Sequence, residues 1–108
     1  MKIYSTTKLL KILRSKELMN KRFGSKRGTL IQRRITEFKA ADTLEDIKHL
    51  PPQRLHKLTG NRANEFAVNV NENYRIVFYA LDVNDEITVN KHKAVSVYIK
   101  EVVDYHEA

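Results

Sequence analysis

The first half of the chain carries hydrophobic residues at helical spacing. Leu9, Leu13 and Leu18 belong to one apolar stripe, which Phe23-Gly24 ends. The spacing recurs twice more before Pro51-Pro52, where proline prevents further helix. Three helices are therefore predicted: from an N-cap at Thr6 or Thr7 to Phe23, from about Lys26 to Ala41, and from Asp42 or Thr43, with Thr43 and Asp46 as a capping-box-like start, to Leu50.

After Pro52 the hydrophobic residues alternate with polar or smaller ones, which is typical of β-strands. Four successive strands are predicted at Leu55–Leu58, Phe66–Val70, Ile76–Tyr79 and Val95–Ile99, and a short opening strand fits Lys2–Ser5. Helices followed by a run of strands indicate an α+β fold. We expect the N-terminal helices to pack on one face of a small, antiparallel, curved sheet.

Length and composition limit what the chain can do. With 108 residues, it is expected to form a single domain over residues 1–108, with an open site suited to a polymer more than to an enclosed small molecule. The absence of cysteine excludes disulfides and a cysteine nucleophile. No cofactor or metal is expected, because there is no glycine-rich phosphate motif and no metal-ligand spacing. Nothing resembles a signal peptide or a membrane span, so we expect a cytoplasmic protein.

Positive charge is concentrated in the first part of the chain. Residues 1–39 contain twelve Lys and Arg against two Glu, a net charge of +10, whereas residues 40–108 contain eight Lys and Arg against eleven Asp and Glu, a net charge of −3. One interpretation is a set of solvated helix faces. The other is a surface for a polyanion, either a nucleic acid or an acidic protein.

The order of the predicted strands brings reactive side chains to one end of the sheet. In an up-and-down arrangement, the first strand begins at the end where the second finishes, the third begins and the fourth finishes. We therefore expect a common end for His56, the turn Asn71–Asn73, Tyr74-Arg75 and the tail Asp104–His106.

These residue types suit metal-free RNA cleavage, in which the ribose 2′-OH attacks the adjacent phosphate. Histidine titrates near neutral pH and can take or give the required protons. Arginine binds phosphate oxygens through its planar guanidinium, and tyrosine can stack on an unpaired base. Asp104 lies two residues before His106, where a carboxylate can orient an imidazole.

Structural roles remain open for the same residues. His56 also fits an ordinary half-buried strand position, and His106 fits a frayed terminus. Arg75 alternatively balances Glu72 or Glu101. Four sequential strands, spaced about 4.8 Å apart, separate the outer two by roughly 14 Å. His56 and His106 therefore flank one phosphate only if the sheet curls or the tail folds back.

Three segments carry a family resemblance. Residues 54–62, RLHKLTGNR, fit the pattern LH-x-L-x-G-(D/N)-R; residues 65–78, EFAVNVNENYRIVF, fit the strand–turn–strand that follows it; and residues 101–106 read EVVDYH. Together with TLEDIKHLPPQRLH, they resemble the HigB killer proteins, a branch of the RelE/ParE toxin superfamily. The likeness covers roughly residues 28–108 in order and spacing.

The resemblance implies a RelE-like fold and the toxin of a type II toxin–antitoxin system. It implies a metal-independent endoribonuclease that cuts mRNA on the ribosome and so inhibits translation and growth. The implied partners are a cognate antitoxin of helix-turn-helix type, the 70S ribosome with its mRNA, and operator DNA only through the antitoxin, with no membrane. The implied catalytic residues are His56, Asp104, Tyr105 and His106, and Asn73 and Arg75 match the turn residue and the phosphate-facing arginine of the family. We expect Lys57 to join Asn73 and Arg75 in binding RNA and phosphate.

Departures from the family pattern leave alternatives open. The family often has lysine immediately before the glycine, where this chain has Thr59, and Lys57 is a candidate replacement two residues away. The 82–93 loop is longer than in the compact members. A ParE-like poison of DNA gyrase needs no histidine pair at the sheet edge and is the main alternative. A basic module that only binds RNA or an antitoxin is the second.

Overall fold

Three helices pack against a five-stranded sheet in the computed structural model, which describes residues 1–104. The strands are β1 (Lys2–Ser5), β2 (His56–Lys57), β3 (Phe66–Asn69), β4 (Tyr74–Leu81) and β5 (Ser96–Asp104), and the helices are α1 (Thr7–Leu13), α2 (Lys16–Phe23) and α3 (Ser25–Ala40). Two 3-10 turns lie at Leu44–Asp46 and Gly60–Arg62. The α+β class predicted from the sequence is confirmed.

The sheet has the strand order β1-β5-β4-β3-β2. The strands β2 to β5 are antiparallel neighbours in chain order, as the sequence predicted. The opening strand β1 pairs in parallel with β5, from Lys2 opposite Ser96 to Ser5 opposite Ile99. A parallel pair requires a long crossover between its strands, and the helices with the rest of the sheet supply it. The sheet is therefore mixed, with one parallel strand added to the predicted antiparallel four.

The hydrophobic core lies between the helices and one face of the sheet. Phe38 of α3 contacts Phe78 of β4 edge to face, with ring centroids 5.0 Å apart, and Phe66 stacks on Phe78 at 6.0 Å. All three rings are buried, and burying each stabilises the fold by roughly 1.5–3 kcal/mol. Successive strand residues point to opposite faces. Ala67, Asn69, Arg75 and Val77 therefore belong to the face away from the helices, which we call the open face.

The predicted first helix is interrupted. Thr6 is the N-cap, as expected, and its hydroxyl accepts a hydrogen bond of 3.2 Å from the Leu9 amide. The helix ends at Leu13, and Ser15 caps a new helix by accepting from the Leu18 amide at 3.2 Å. Serine satisfies the free amides of a helix start better than it continues a helix, so the single stripe covers both α1 and α2.

The predicted third helix was wrong. Only the 3-10 turn Leu44–Asp46 forms, and the Asp46 carboxylate accepts from the Asp42 amide at 2.9 Å. Thr43 makes no capping bond. The Leu44 amide donates to the carbonyl of Ala94 at 3.1 Å, which ties this turn to the segment before β5. Within residues 1–104, every helix is too short or too polar to cross a membrane.

Candidate functional site

The strand register confirms the predicted common end of the sheet for the residues that the structure describes. His56 lies opposite Ala67, and Arg75 lies between Asn69 and Val103. Tyr74 lies opposite Asp104. The predicted residues Tyr105 and His106 lie outside the described part of the chain.

A pocket of about 290 Å³ opens at this end of the sheet. Two histidines and two arginines line it: His49, His56, Arg54 and Arg75. Leu55 and Asn69 complete the lining, and we call this the cationic pocket. No carboxylate is among these lining residues. Imidazolium and guanidinium groups donate hydrogen bonds and carry positive charge, so the pocket suits an anion.

The tautomer of His56 follows from its hydrogen bond. Its Nδ1 lies 2.7 Å from the carbonyl oxygen of Arg54. A carbonyl only accepts, so Nδ1 carries the hydrogen, and the neutral ring presents an unprotonated Nε2. The side chain is exposed, rather than half-buried as its structural alternative required. His56 is therefore oriented as a proton acceptor.

The backbone of Arg54 adopts a conformation that arginine rarely takes. Its φ of 47° lies in the left-handed region, where a side chain costs on the order of 1 kcal/mol. Two backbone hydrogen bonds fix it: the Arg54 amide donates to Leu50 at 3.0 Å, and the Leu55 amide donates to Lys48 at 2.9 Å. This conformation directs the Arg54 carbonyl to His56 while the residue itself lines the pocket.

The base of the pocket is fixed from below. The Asn69 amide donates to the carbonyl of Gln53 at 2.7 Å, and the Asn69 carbonyl accepts from Arg34 Nε at 2.8 Å. Arg34 also pairs with Glu37 at 2.8 Å and is only 3% exposed. Glu37, one turn away, compensates its charge, so Arg34 anchors β3 to α3.

Lys57 and Asp104 lie at the common end but project away from the pocket. Residues directly opposite each other in an antiparallel pair share a side. Lys57 lies opposite Phe66 of the core, whereas His56 lies opposite Ala67 of the open face. Asp104 lies opposite Tyr74 and so on the other side of the sheet from Arg75.

Asn73 lies in the turn between β3 and β4. Its amide and that of Tyr74 both donate to the Asn71 side chain, at 2.9 and 2.8 Å. The turn borders a groove with the start of α3, where Arg27 lies 4.1 Å over the Tyr74 ring. Asn73 is thus separate from the cationic pocket.

Sequence reasoning missed two residues of the pocket, His49 and Arg54. His49 was expected to end a helix, but that helix does not form and the segment turns back instead. The only available signal was local: the stretch from His49 to His56 places two histidines and an arginine around a pair of prolines.

A second set of charges on the open face extends from the β2–β3 connection to β5, where Glu101 lies in the same row across the sheet as His56, and these charges pair with one another. Arg62 bonds Glu101 at 2.6 Å and Glu65 at 2.9 Å, and Lys100 bonds Glu65 at 3.2 Å. A β-bulge in β5 leaves Lys100 without a partner opposite Val77 and Phe78, which brings Lys100 and Glu101 to one face. We call Arg62, Glu65, Lys100 and Glu101 the ion cluster.

Titration in the ion cluster reflects this pairing. Burial raises the pKa of Glu65, but hydrogen bonds from Arg62 and Lys100 outweigh it and hold the pKa below its ordinary value. Burial lowers the pKa of Lys100, but bonds with Glu65 and Tyr79 raise it overall. Bonds with Glu101 and Glu65 raise the pKa of Arg62. All three groups therefore favour their charged forms.

This arrangement of helices, mixed sheet and cationic open-face pocket is that of a RelE-like toxin. The structure is similar to the YoeB/ParE toxin from Agrobacterium tumefaciens, with a TM-score of 0.60 and 13% identity, covering 96% of this chain and 98% of that chain. At that identity the likeness establishes the fold alone.

The family follows from the sequence comparison. The HigB-like toxin family, described as the RelE-like toxin of the type II toxin–antitoxin system HigB, matches residues 7–106. The chain therefore belongs to the HigB-like toxin family and is the toxin of a type II toxin–antitoxin system, with an antitoxin as partner. The match begins well before residue 28, where the visible motifs start. No curated protein sequence matches the chain significantly.

Proposed function

We propose that this toxin is a ribosome-dependent mRNA endonuclease acting in the cytoplasm, and that the scissile phosphate binds in the cationic pocket. One observation carries the proposal: His56, whose Nδ1 bonds the Arg54 carbonyl and whose Nε2 is left to accept a proton when the ring is neutral, shares a pocket with Arg54 and Arg75. A base beside two guanidinium groups is what transfer of a phosphoryl group from a 5′ oxygen to a 2′ oxygen requires.

In this mechanism His56 Nε2 takes the proton of the ribose 2′-OH. The 2′ oxygen then attacks phosphorus, the bond from phosphorus to the 5′ oxygen breaks, and the products are a 2′,3′-cyclic phosphate and a 5′-OH. Arg54 and Arg75 offset the charge that accumulates on the non-bridging oxygens. Such donors contribute most when they are fixed before the reaction, and the backbone bonds around Arg54 fix its position.

The leaving 5′ oxygen requires a proton from a second acid. The family resemblance assigns it to His106, with Asp104 orienting an imidazole and Tyr105 bracing the substrate. Lys57 and Asn73 lie outside the cationic pocket, and we propose them as contacts to phosphates of the message other than the scissile one.

Dependence on the ribosome is supported by the size of the pocket. A volume of about 290 Å³ accommodates a phosphate and part of a ribose, not a length of RNA. Alignment of the 2′-OH with the leaving oxygen must then come from the ribosome, which supplies effective concentration and orientation. The basic N-terminal region supplies affinity for ribosomal RNA.

The test uses purified protein, programmed ribosomes and an end-labelled message. We expect cleavage by the wild type and a fall of at least ~10²-fold for His56→Ala, the usual contribution of general base catalysis. His92→Ala is the matched control, because His92 lies in the loop at the opposite end of the sheet and pairs with Glu45. A His56→Ala, His106→Ala double variant that cuts fully defeats the assignment.

The gyrase alternative is tested with the same preparation. A plasmid supercoiling assay without ribosomes separates a gyrase poison from a nuclease. Inhibition of supercoiling by a protein that leaves ribosome-bound message intact would overturn the proposed function in favour of the ParE-like alternative.

A further inference from the structure

The cationic pocket contains a second imidazole, that of His49. Two hydrogen bonds bracket it along the chain, because the carbonyl before it, of Lys48, accepts from Leu55 and the carbonyl after it, of Leu50, accepts from Arg54. The segment from Lys48 to Leu55 is thereby closed on itself. His49 is held against the same stretch that provides Arg54 and His56.

The His49 side chain has no structural role within residues 1–104. It is exposed and makes no part of the core. His56 and His92 each have a partner for Nδ1, whereas no hydrogen bond within residues 1–104 involves the His49 ring. The charged or titratable groups that line the pocket with it are Arg54, His56 and Arg75, all of them bases.

We propose that His49 is a phosphate ligand of this toxin: its imidazolium donates a hydrogen bond to a non-bridging oxygen of the RNA phosphodiester held by Arg54 and Arg75. The inference rests on the proposed function and extends it to substrate binding. An anion among these groups favours the charged form of an imidazole. The proposed contact is therefore strongest when the His49 ring carries the extra proton.

The test measures binding separately from cleavage. The probe is a ribosome-bound message with a 2′-deoxyribose at the cleavage position, which cannot be cut by attack of the 2′-OH. We expect His49→Gln to weaken binding about tenfold at pH near 6, the usual worth of a hydrogen bond to a charged group, and to match the wild type more closely at pH near 8. His49→Arg keeps the positive charge at both pH values, so its binding is expected to change less between them than that of the wild type.

His92→Gln is the matched control, since it removes an exposed histidine far from the pocket. Wild-type binding by His49→Gln at both pH values overturns the inference. It is also overturned if binding is unchanged while the cleavage rate of an ordinary message falls, because His49 then transfers a proton instead of binding the phosphate.

A second measurement separates this inference from the proposed function. Inorganic phosphate is titrated into the free toxin while the ring signals of His49 and His92 are followed by NMR. If the ring signal of His49 shifts and that of His92 does not, and the wild type does not cleave ribosome-bound message, the phosphate site is supported and the proposed nuclease function is overturned. Cleavage by the wild type with no shift of His49 and no effect of His49→Gln removes the phosphate ligand and keeps the nuclease.

Discussion

The ion cluster and the cationic pocket, both on the open face, use the same kinds of side chain in different ways. In the ion cluster, each of the cations Arg62 and Lys100 contacts a carboxylate, and Glu65 between them is only 5% exposed. In the cationic pocket, the lining residues are basic or neutral and the space between them is open. The ion cluster pairs its charges with one another, whereas the cationic pocket brings positive groups together with no carboxylate among its lining residues.

The comparison also separates two reasons for a shifted pKa. The shifts of Glu65 and Lys100 come from ion pairs that close the β2–β3 connection over the sheet. Such networks perturb titration without catalysis, as pKa-based searches for active sites must allow. Mutations in the cationic pocket should therefore change activity, and mutations in the ion cluster should change stability.

The largest expected effect is that of Arg75→Gln. Removal of one fixed donor to the transition-state charge typically costs ~10²–10³-fold in rate. We expect a loss of this order in single-turnover cleavage of ribosome-bound message.

Arg62→Gln is the matched change in the ion cluster. Its folded fraction is expected to cut at the wild-type rate, while its unfolding midpoint falls because Glu65 and Glu101 lose a partner. A variant at Arg62 that loses cleavage while remaining folded would contradict the functional distinction between the cationic pocket and the ion cluster.

The second prediction concerns the left-handed backbone of Arg54. Glycine adopts a φ of 47° without strain, whereas a β-branched residue does not. Arg54→Gly removes the side chain with its guanidinium but keeps the backbone conformation, and we expect a cleavage loss of about tenfold, the worth of one charged hydrogen bond. Arg54→Val also displaces the carbonyl that orients His56, so its loss should be larger.

Nitrogen NMR of the His56 ring checks the cause of that difference. The hydrogen should be on Nδ1 in the wild type and in Arg54→Gly, and distributed between both nitrogens in Arg54→Val. Equal cleavage by the two variants, with the same tautomer, would show that the backbone of Arg54 does not position His56.

The sheet was predictable because its strands alternate and one face is buried. Phe66, Ile76 and Phe78 face the core at the spacing that the sequence shows. The predicted helix after Asp42 failed because a repeat of three apolar residues also fits a 3-10 turn followed by extended chain. The bond from Leu44 to Ala94, a partner 50 residues away, holds the turn in place and is not visible in the local spacing.

The predicted site was only partly accessible to sequence reasoning. Strand order places His56 and Arg75 at one end, and that needs no side-chain geometry. The positions of His49 and Arg54 depend on how one loop closes between Lys48 and Leu55. Periodicity carries no information about such closure, so a pocket wall made by a loop was missed.

The third prediction concerns acid stability at the ion cluster. The folded-state pKa of Glu65 lies below its unfolded value, so its stabilisation is present above the unfolded pKa and is lost as pH falls through the folded pKa. Glu65→Gln should lose about 1–3 kcal/mol of unfolding free energy at neutral pH, since Lys100 and Arg62 lose their partner.

Urea unfolding at neutral pH and in the acid range measures this difference. The gap between wild type and Glu65→Gln should narrow on acidification, while cleavage by folded protein at neutral pH remains equal. A gap that stays constant with pH would mean that Glu65 acts through packing and not through its charge.

The smallest expected effect is on the salt dependence of ribosome binding. Arg33 is exposed on α3, beside the buried Arg34, and the ion cluster occupies Arg62. Each cation that contacts a phosphate contributes about 0.7–0.9 to the slope of log affinity against log salt. Arg33→Ala should therefore reduce the slope by roughly that amount, whereas Arg62→Ala should leave it unchanged. The slopes are measured from equilibrium binding to ribosomes at several salt concentrations, with Arg34→Ala excluded because it removes the anchor of β3. Equal reductions of the slope for Arg33→Ala and Arg62→Ala would mean that pairing within the ion cluster does not keep a cation from contacting RNA. The contrast between the cationic pocket and the ion cluster would then lose its electrostatic basis.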